Sequence, residues 1–157
     1  MKISLLLTGK TEESWIKAGF EQYCKRLEHY CSFEVIELPA IKFSGKIPVA
    51  EQNRLEGEMQ LTKISPSDRL ILLDEKGKEF SSQTFSGWLE KQQSAGHKRI
   101  VFLIGGPFGF SEKIYERANE KIALSQMTFS HQMVRVILAE QLYRGFTILK
   151  GEKYHHS

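Results

Sequence analysis

The residues best placed to hold a ligand stand where apolar runs break off. Val101–Phe110 reads Val-Phe-Leu-Ile-Gly-Gly-Pro-Phe-Gly-Phe, a buried-strand pattern that ends in a glycine-proline loop before Ser111-Glu112 opens a helical stretch. In an open α/β sheet, ligands bind just past the carboxyl ends of strands. Gly105, Gly106 and Gly109 allow close approach of the backbone there. The phosphate-binding spacing Gly-x-Gly-x-x-Gly is absent, and Pro107 removes an N–H, so the loop makes a poor phosphate cradle. The chemistry indicated is a ligand gripped by backbone groups and shape. Two more candidate segments follow apolar runs, Leu73-Asp74 and Leu124–Phe129 (Leu124, Ser125, Gln126, Met127, Thr128 and Phe129). If their strands are adjacent, all three loops converge on one crevice; the plainer alternative is a set of ordinary strand-to-helix turns. Toward the C-terminus the residues by themselves read plainly: His131 satisfies the start of its helix, Arg144 pairs with Glu140 four residues earlier, and His155 belongs to a solvated tail. Lys42, Lys46, Lys76 and Lys78 read either as phosphate contacts or as solvated loop charges.

The elements that must position these residues alternate in type. Strands are expected at Lys2–Leu7, Phe33–Leu38, Arg69–Asp74, Arg99–Ile104 and Lys121–Leu124. The third, Arg-Leu-Ile-Leu-Leu-Asp, is apolar on both faces, as a central parallel strand should be. Helices are expected at Glu12–Leu27, with Thr11 as N-cap and Ile16, Phe20, Tyr23 and Leu27 on one face, and at Val49–Ile64, with Leu55 and Met59 four apart. Others are Ser81–Ser94, packing Phe85, Trp88 and Leu89; a short helix from a Ser111 cap to Ala118; and His131–Leu149, with Val134, Ile137, Leu138 and Leu142 inward. Ala40–Pro48 reads as a loop, Glu75-Lys76-Gly77-Lys78 as a turn, and Ser125–Ser130 as a polar loop. The expected architecture is α/β, one domain over residues 1–157, with a mostly parallel five-stranded sheet flanked by helices.

The 157 residues are enough to bury a substantial core. No apolar run approaches the roughly 18 residues of a membrane span. Met1–Leu7 is too short for a signal peptide and lacks a small-residue cleavage site, so a cytoplasmic protein is expected. Cys24 and Cys31 form no Cys-x-x-Cys and have no metal-ligand spacing, which predicts free, partly buried thiols and no bound metal. With 22 basic and 19 acidic side chains the net charge is +3, so any nucleic-acid partner must be met by locally concentrated charge.

The ordered motifs resemble a known family. Leu103-Ile-Gly-Gly-Pro-x-Gly109 is followed by Leu124-Ser-x-Met-Thr-x-x-His131-x-x-Val-Arg-x-x-Leu-x-Glu-Gln-Leu-Tyr-Arg144 and a terminal Tyr154-His155. With Leu7-Thr-Gly-Lys10 and Leu72–Lys78, this series is similar to the ribosomal RNA large subunit methyltransferase H family, of the SPOUT class, over essentially the whole chain. The resemblance implies a SPOUT-type fold with a C-terminal trefoil knot, a homodimer, and S-adenosylmethionine as methyl donor. It implies N3 of a pseudouridine in the helix 69 loop of 23S rRNA, in the assembled ribosome, as acceptor. Carried onto matching positions, it assigns donor binding to Leu73, Gly105 and Leu124–Phe129, with Gly106 and Gly109 letting the loop close. It assigns the acceptor pocket to Arg144, Tyr154 and His155, the tail reaching over from the partner subunit. One departure concerns the tail, where Lys153 and His156 flank Tyr154-His155 in place of the family's usual proline and arginine. An imidazole thus stands where a permanent guanidinium is expected.

Overall fold

A computed structural model of the chain describes residues 1–42 and 45–156. Five strands alternate with five helices: β1 (Lys2–Thr8), α1 (Ser14–Leu27), β2 (Ser32–Leu38), α2 (Val49–Leu61), β3 (Arg69–Glu79), α3 (Ser82–Ser94), β4 (Arg99–Ile104), α4 (Glu112–Arg117), β5 (Glu120–Ala123) and α5 (Met133–Leu149). The strands form one sheet in the order β2-β1-β4-β3-β5, and every pair is parallel. Because β4, β3 and β5 are neighbours, the three segments singled out above lie side by side, Leu73-Asp74 within β3 and the other two beyond the ends of β4 and β5.

Strand residues alternate between two apolar layers, as a period of two requires. Ile100, Phe102 and Ile104 of β4 join Ile3, Leu5 and Leu7 of β1 on the face covered by α1, α3 and α5. Val101 and Leu103 face the other way, with Leu6, Leu70, Leu72, Phe110 and Ile114 under α4. Phe85, Trp88 and Leu89 are buried as expected, and so are Ile16, Phe20 and Leu27. On α5 the buried line is Leu138, Ala139, Leu142 and Phe146; Val134 and Ile137 are only half-buried. Cys24 and Cys31 are free and partly buried, and burial raises their pKa values to about 12 and about 11. Among the described residues no helix is long and apolar enough to cross a membrane.

Several elements differ from the sequence reading. The expected turn Glu75–Lys78 lies inside β3, which runs on to Glu79. Its register against β5 jumps from Leu73↔Ile122 to Lys78↔Ile122, so the intervening residues bulge out while pairing resumes beyond them. Gly77 makes this possible, because a Cβ there would stand 2.6 Å from the backbone of Ile122 and Lys121. Thr11 does not cap α1. The helix begins later, without a side-chain cap, and the Thr11 hydroxyl accepts a hydrogen bond from Arg135 instead. Helix α2 ends at Leu61 and buries a polar face of Gln52, Glu56 and Gln60, while Leu55 and Met59 remain half-buried. The expected loop Ala40–Pro48 includes Phe43 and Ser44, which lie outside the described residues, as does Ser157 of the tail.

Candidate active site

The bulge of β3 and the ends of β4 and β5 open into a cleft of about 670 Å³. Its walls are Leu73–Lys76, Ile104–Phe110, Tyr115, Ile122–Ser125, Met127–His131 and Val134. Seven of the eight expected donor-binding residues therefore line one cavity, and the eighth, Gln126, sits in the same loop with its amide 3.5 Å from Glu79.

Local chemistry shapes each wall. Gly106 and Gly109 pair in an isolated antiparallel bridge, and Gly109 takes φ +82°, a conformation that favours glycine. A Cβ on Gly105 would come within 2.9 Å of the Phe110 ring. Beyond the loop, the Ser111 hydroxyl caps α4 by accepting from the Ile114 N–H, as the sequence predicts. On the β3 side, Asp74 accepts from the Tyr115 hydroxyl at 2.7 Å and from the Lys76 N–H at 2.9 Å. Burial pushes the Asp74 pKa up, but these hydrogen bonds and the charges of Lys121 and Lys76 prevail and hold it low. The third wall is pinned where Thr128 donates to Glu75 at 2.5 Å and where the Ser125 hydroxyl accepts from the Met127 N–H at 2.9 Å. Met127 is 77% exposed and Phe108 43%, so apolar side chains stand unburied at the rim.

Helix α5 closes the cleft. The Ser130 hydroxyl accepts from the Met133 N–H at 3.1 Å, while Gln132, which precedes the helix, gives no side-chain cap. Arg135 is fully buried and does not reach the cleft. Its guanidinium donates to the carbonyls of Thr8 and His131 and to the Thr11 hydroxyl, clamping the end of β1 to the start of α5. His131 lines the cleft, and burial, with the Arg135 charge beside it, lowers its pKa and favours the neutral imidazole.

Arg144, Tyr154 and His155 form a second cluster away from this cleft. Arg144 lies ten residues beyond Val134 on the same helix, about 15 Å along its axis. Its guanidinium pairs with Glu140, sits 4.7 Å over the Tyr154 ring and lies 3.3 Å from His155 Nδ1. Tyr154 donates to Glu140 at 3.1 Å, contacts the Tyr23 hydroxyl at 3.2 Å, and packs edge-on against Tyr143. Burial, followed by the Tyr23 and Glu140 contacts, raises its pKa and keeps the phenol protonated. The plainer expectation of an Arg144–Glu140 pair is met, and the pair also holds the tail. One chain thus presents a ligand cleft at one end of α5 and an organised Arg-Tyr-His group toward the other.

Comparison with known proteins shows the family of the chain. The model of a family described as predicted SPOUT methyltransferase matches residues 1–155. The chain belongs to the SPOUT methyltransferase family. It is 51% identical over 156 residues to a protein of Parabacteroides distasonis named ribosomal RNA large subunit methyltransferase H, covering 99% of each chain. Proteins of the same name from Christiangramia forsetii and Cytophaga hutchinsonii are 49% and 50% identical over 156 residues, with similar coverage. The resemblance read from the motifs is therefore upheld over the full chain. The cleft is glycine-rich on one wall and lined by the bulge of β3 and the residues that follow β4 and β5.

Proposed function

We propose that the protein is an S-adenosylmethionine-dependent ribosomal RNA methyltransferase that methylates N3 of a pseudouridine in the helix 69 loop of 23S rRNA, within the assembled ribosome. The observation that carries this reading is the convergence of Leu73, Gly105 and Leu124–Phe129 on one cleft in a chain half identical to proteins named for large-subunit rRNA methylation. On this reading the protein works in the cytoplasm and carries the family's trefoil knot in its C-terminal half.

The bound donor supplies an already activated methyl group, as a sulfonium, so no metal is needed for the transfer. The protein must align N3 with that methyl and take up the N3 proton while the S–CH3 bond breaks and the N–CH3 bond forms. Orientation of reactants is worth about 7–11 kcal/mol and a general base about 10²–10⁴-fold, so positioning dominates. His155 receives the proton, Arg144 stabilises negative charge developing on the base oxygens, and Tyr154 stacks on the acceptor base. The separation of these residues from their own cleft supports a homodimer in which the tail of one chain serves the cleft of the other. Half-buried apolar residues on α5, including Val134, Val136 and Ile137, supply surface for a twofold contact.

The test is transfer of label from radiolabelled S-adenosylmethionine to ribosomes lacking the modification, with free rRNA and transfer RNA in parallel. Label in 23S RNA of assembled ribosomes alone supports the full reading. Label in transfer RNA moves the substrate elsewhere within the SPOUT methyltransferases, and absence of donor binding rejects the reading.

A further inference from the structure

Behind the glycine loop lies a carboxylate that the mechanism above does not use. Glu56 is 3% exposed, yet it has a single hydrogen bond among the described residues, from Gln52 Nε2 at the long distance of 3.5 Å. Both of its oxygens lie 3.3 Å from the position a Cβ would take on Gly106, and Gly106 lines the cleft. The absent side chain is what lets the carboxylate come so near. Two more acceptors stand on the same helix: Gln52 Oε1 and Asn53 Oδ1 are buried without a hydrogen-bond partner, while Asn53 Nδ2 holds the Phe108 carbonyl at 2.9 Å. A buried carboxylate without a counter-charge is costly, and it is relieved either by taking up a proton or by a cation bound nearby.

We propose that Glu56 is a specificity-determining residue of the cleft, its buried carboxylate favouring a cationic sulfonium ligand over the neutral thioether left after methyl transfer. The proposal rests on the methyltransferase reading. The donor and the product differ by one methyl group and one positive charge, so shape alone separates them poorly. A carboxylate behind the glycine wall would act on the charge of a ligand bound in the cleft. Burial raises the Glu56 pKa, with the Gln52 hydrogen bond opposing, and a cation bound beyond Gly106 would favour the ionised form. If the sulfonium stood about 8 Å from the carboxylate, an effective dielectric of about 20 would correspond to roughly thirtyfold in affinity; screening in an open cleft would reduce this to about fivefold or more. Glu56 is placed to aid product release by the same term, since the attraction ends when the sulfonium is consumed.

The experiment is calorimetric titration of S-adenosylmethionine and S-adenosylhomocysteine into the purified wild-type, Glu56→Gln and Glu56→Met proteins. Glu56→Gln is expected to weaken donor binding about five- to thirtyfold while leaving product binding within about twofold. Glu56→Met, which removes the charge with an apolar side chain of similar length, is expected to shift the donor-to-product ratio the same way. Equal losses for both ligands would mean that Glu56 only supports packing, and an unchanged ratio would mean that its charge is not felt; either overturns the proposal. If Glu56→Gln does not fold, an unchanged ratio in Glu56→Met overturns it alone. Failure of the wild-type protein to bind either ligand would instead remove the methyltransferase reading, and this proposal with it.

Discussion

Replacing Gly77 by alanine tests how the cleft is held open on its β3 side. The added Cβ would lie 2.6–2.7 Å from three backbone atoms of Lys121 and Ile122. Carbon atoms rest about 3.5–4.0 Å apart, so the strands must separate by about 1 Å. Backbone cannot rotate away as a side chain can. Overpacking of this kind costs about 1–3 kcal/mol, and the pairings Lys78↔Ile122 and Glu79↔Ala123 are weakened as well. A total near 3 kcal/mol lowers the Tm of a protein this size by about 6–12 °C. Because β5 leads directly into Leu124–Phe129, donor affinity should fall too. The assay is thermal unfolding followed by circular dichroism, with Gly87→Ala as control. Gly87 lies within α3 with nothing within 4 Å of its added Cβ, so alanine there should stabilise by about 0.5–1 kcal/mol. Equal Tm changes for the two variants would refute the close-approach argument.

Other consequences are open to direct measurement. Arg135→Met leaves the Thr8 and His131 carbonyls without their donor in the interior and should cost about 2–4 kcal/mol in urea unfolding; wild-type stability would mean that the guanidinium's desolvation cancels its bonds. Tyr115→Phe removes a hydrogen bond that holds the Asp74 pKa low. A depressed folded pKa stabilises above the unfolded value, about 3.9, and that contribution disappears as pH falls through the folded value. The variant's cost, at most about 1 kcal/mol because the pair is solvent-screened, should therefore be present at pH 7 and vanish once the pH has fallen below the folded value; a cost independent of pH would contradict the assignment. His155→Ala should lower the transfer rate at saturating donor by about 10²-fold or more while changing donor affinity little; the reverse pattern would remove its proposed role.

Much of the frame was legible because buried parallel strands carry an unambiguous pattern. Arg69–Asp74 reads as a central strand and Arg99–Ile104 as the strand that feeds the glycine loop, and the residues where these apolar runs break off line the cleft. The capping role of Ser111 was equally plain. Other features depend on tertiary contacts that periodicity does not record. Glu75–Lys78 has the composition of a turn, yet β3 resumes pairing beyond it because Gly77 fits against the β5 backbone. Helix α2 was read by Leu55 and Met59, whereas the face turned inward is Gln52, Glu56 and Gln60, with Gln60 donating to the Thr8 hydroxyl at 2.8 Å. An apolar-inside rule points the wrong way for such a face. The four-residue spacing of those polar residues was the available signal, and only the glycine loop above them gives it meaning. Tyr154 and His155 were reached through motif resemblance, because a tail residue bears no periodic mark at all.

The most direct test of the central claim, that a complete site takes its donor cleft from one chain and its tail from another, is complementation between two inactive variants. Gly105→Val disables the cleft through the Phe110 contact, and His155→Ala disables the tail. Each is expected to form dimers with little activity on ribosomes. When the two are unfolded together and refolded in equal amounts, half of the dimers become mixed, and each mixed dimer holds one intact site. Methyl transfer should then return to about a quarter of the wild-type rate. No recovery, with mixed dimers demonstrated by mass spectrometry, would mean that each chain completes its own site and would contradict the account.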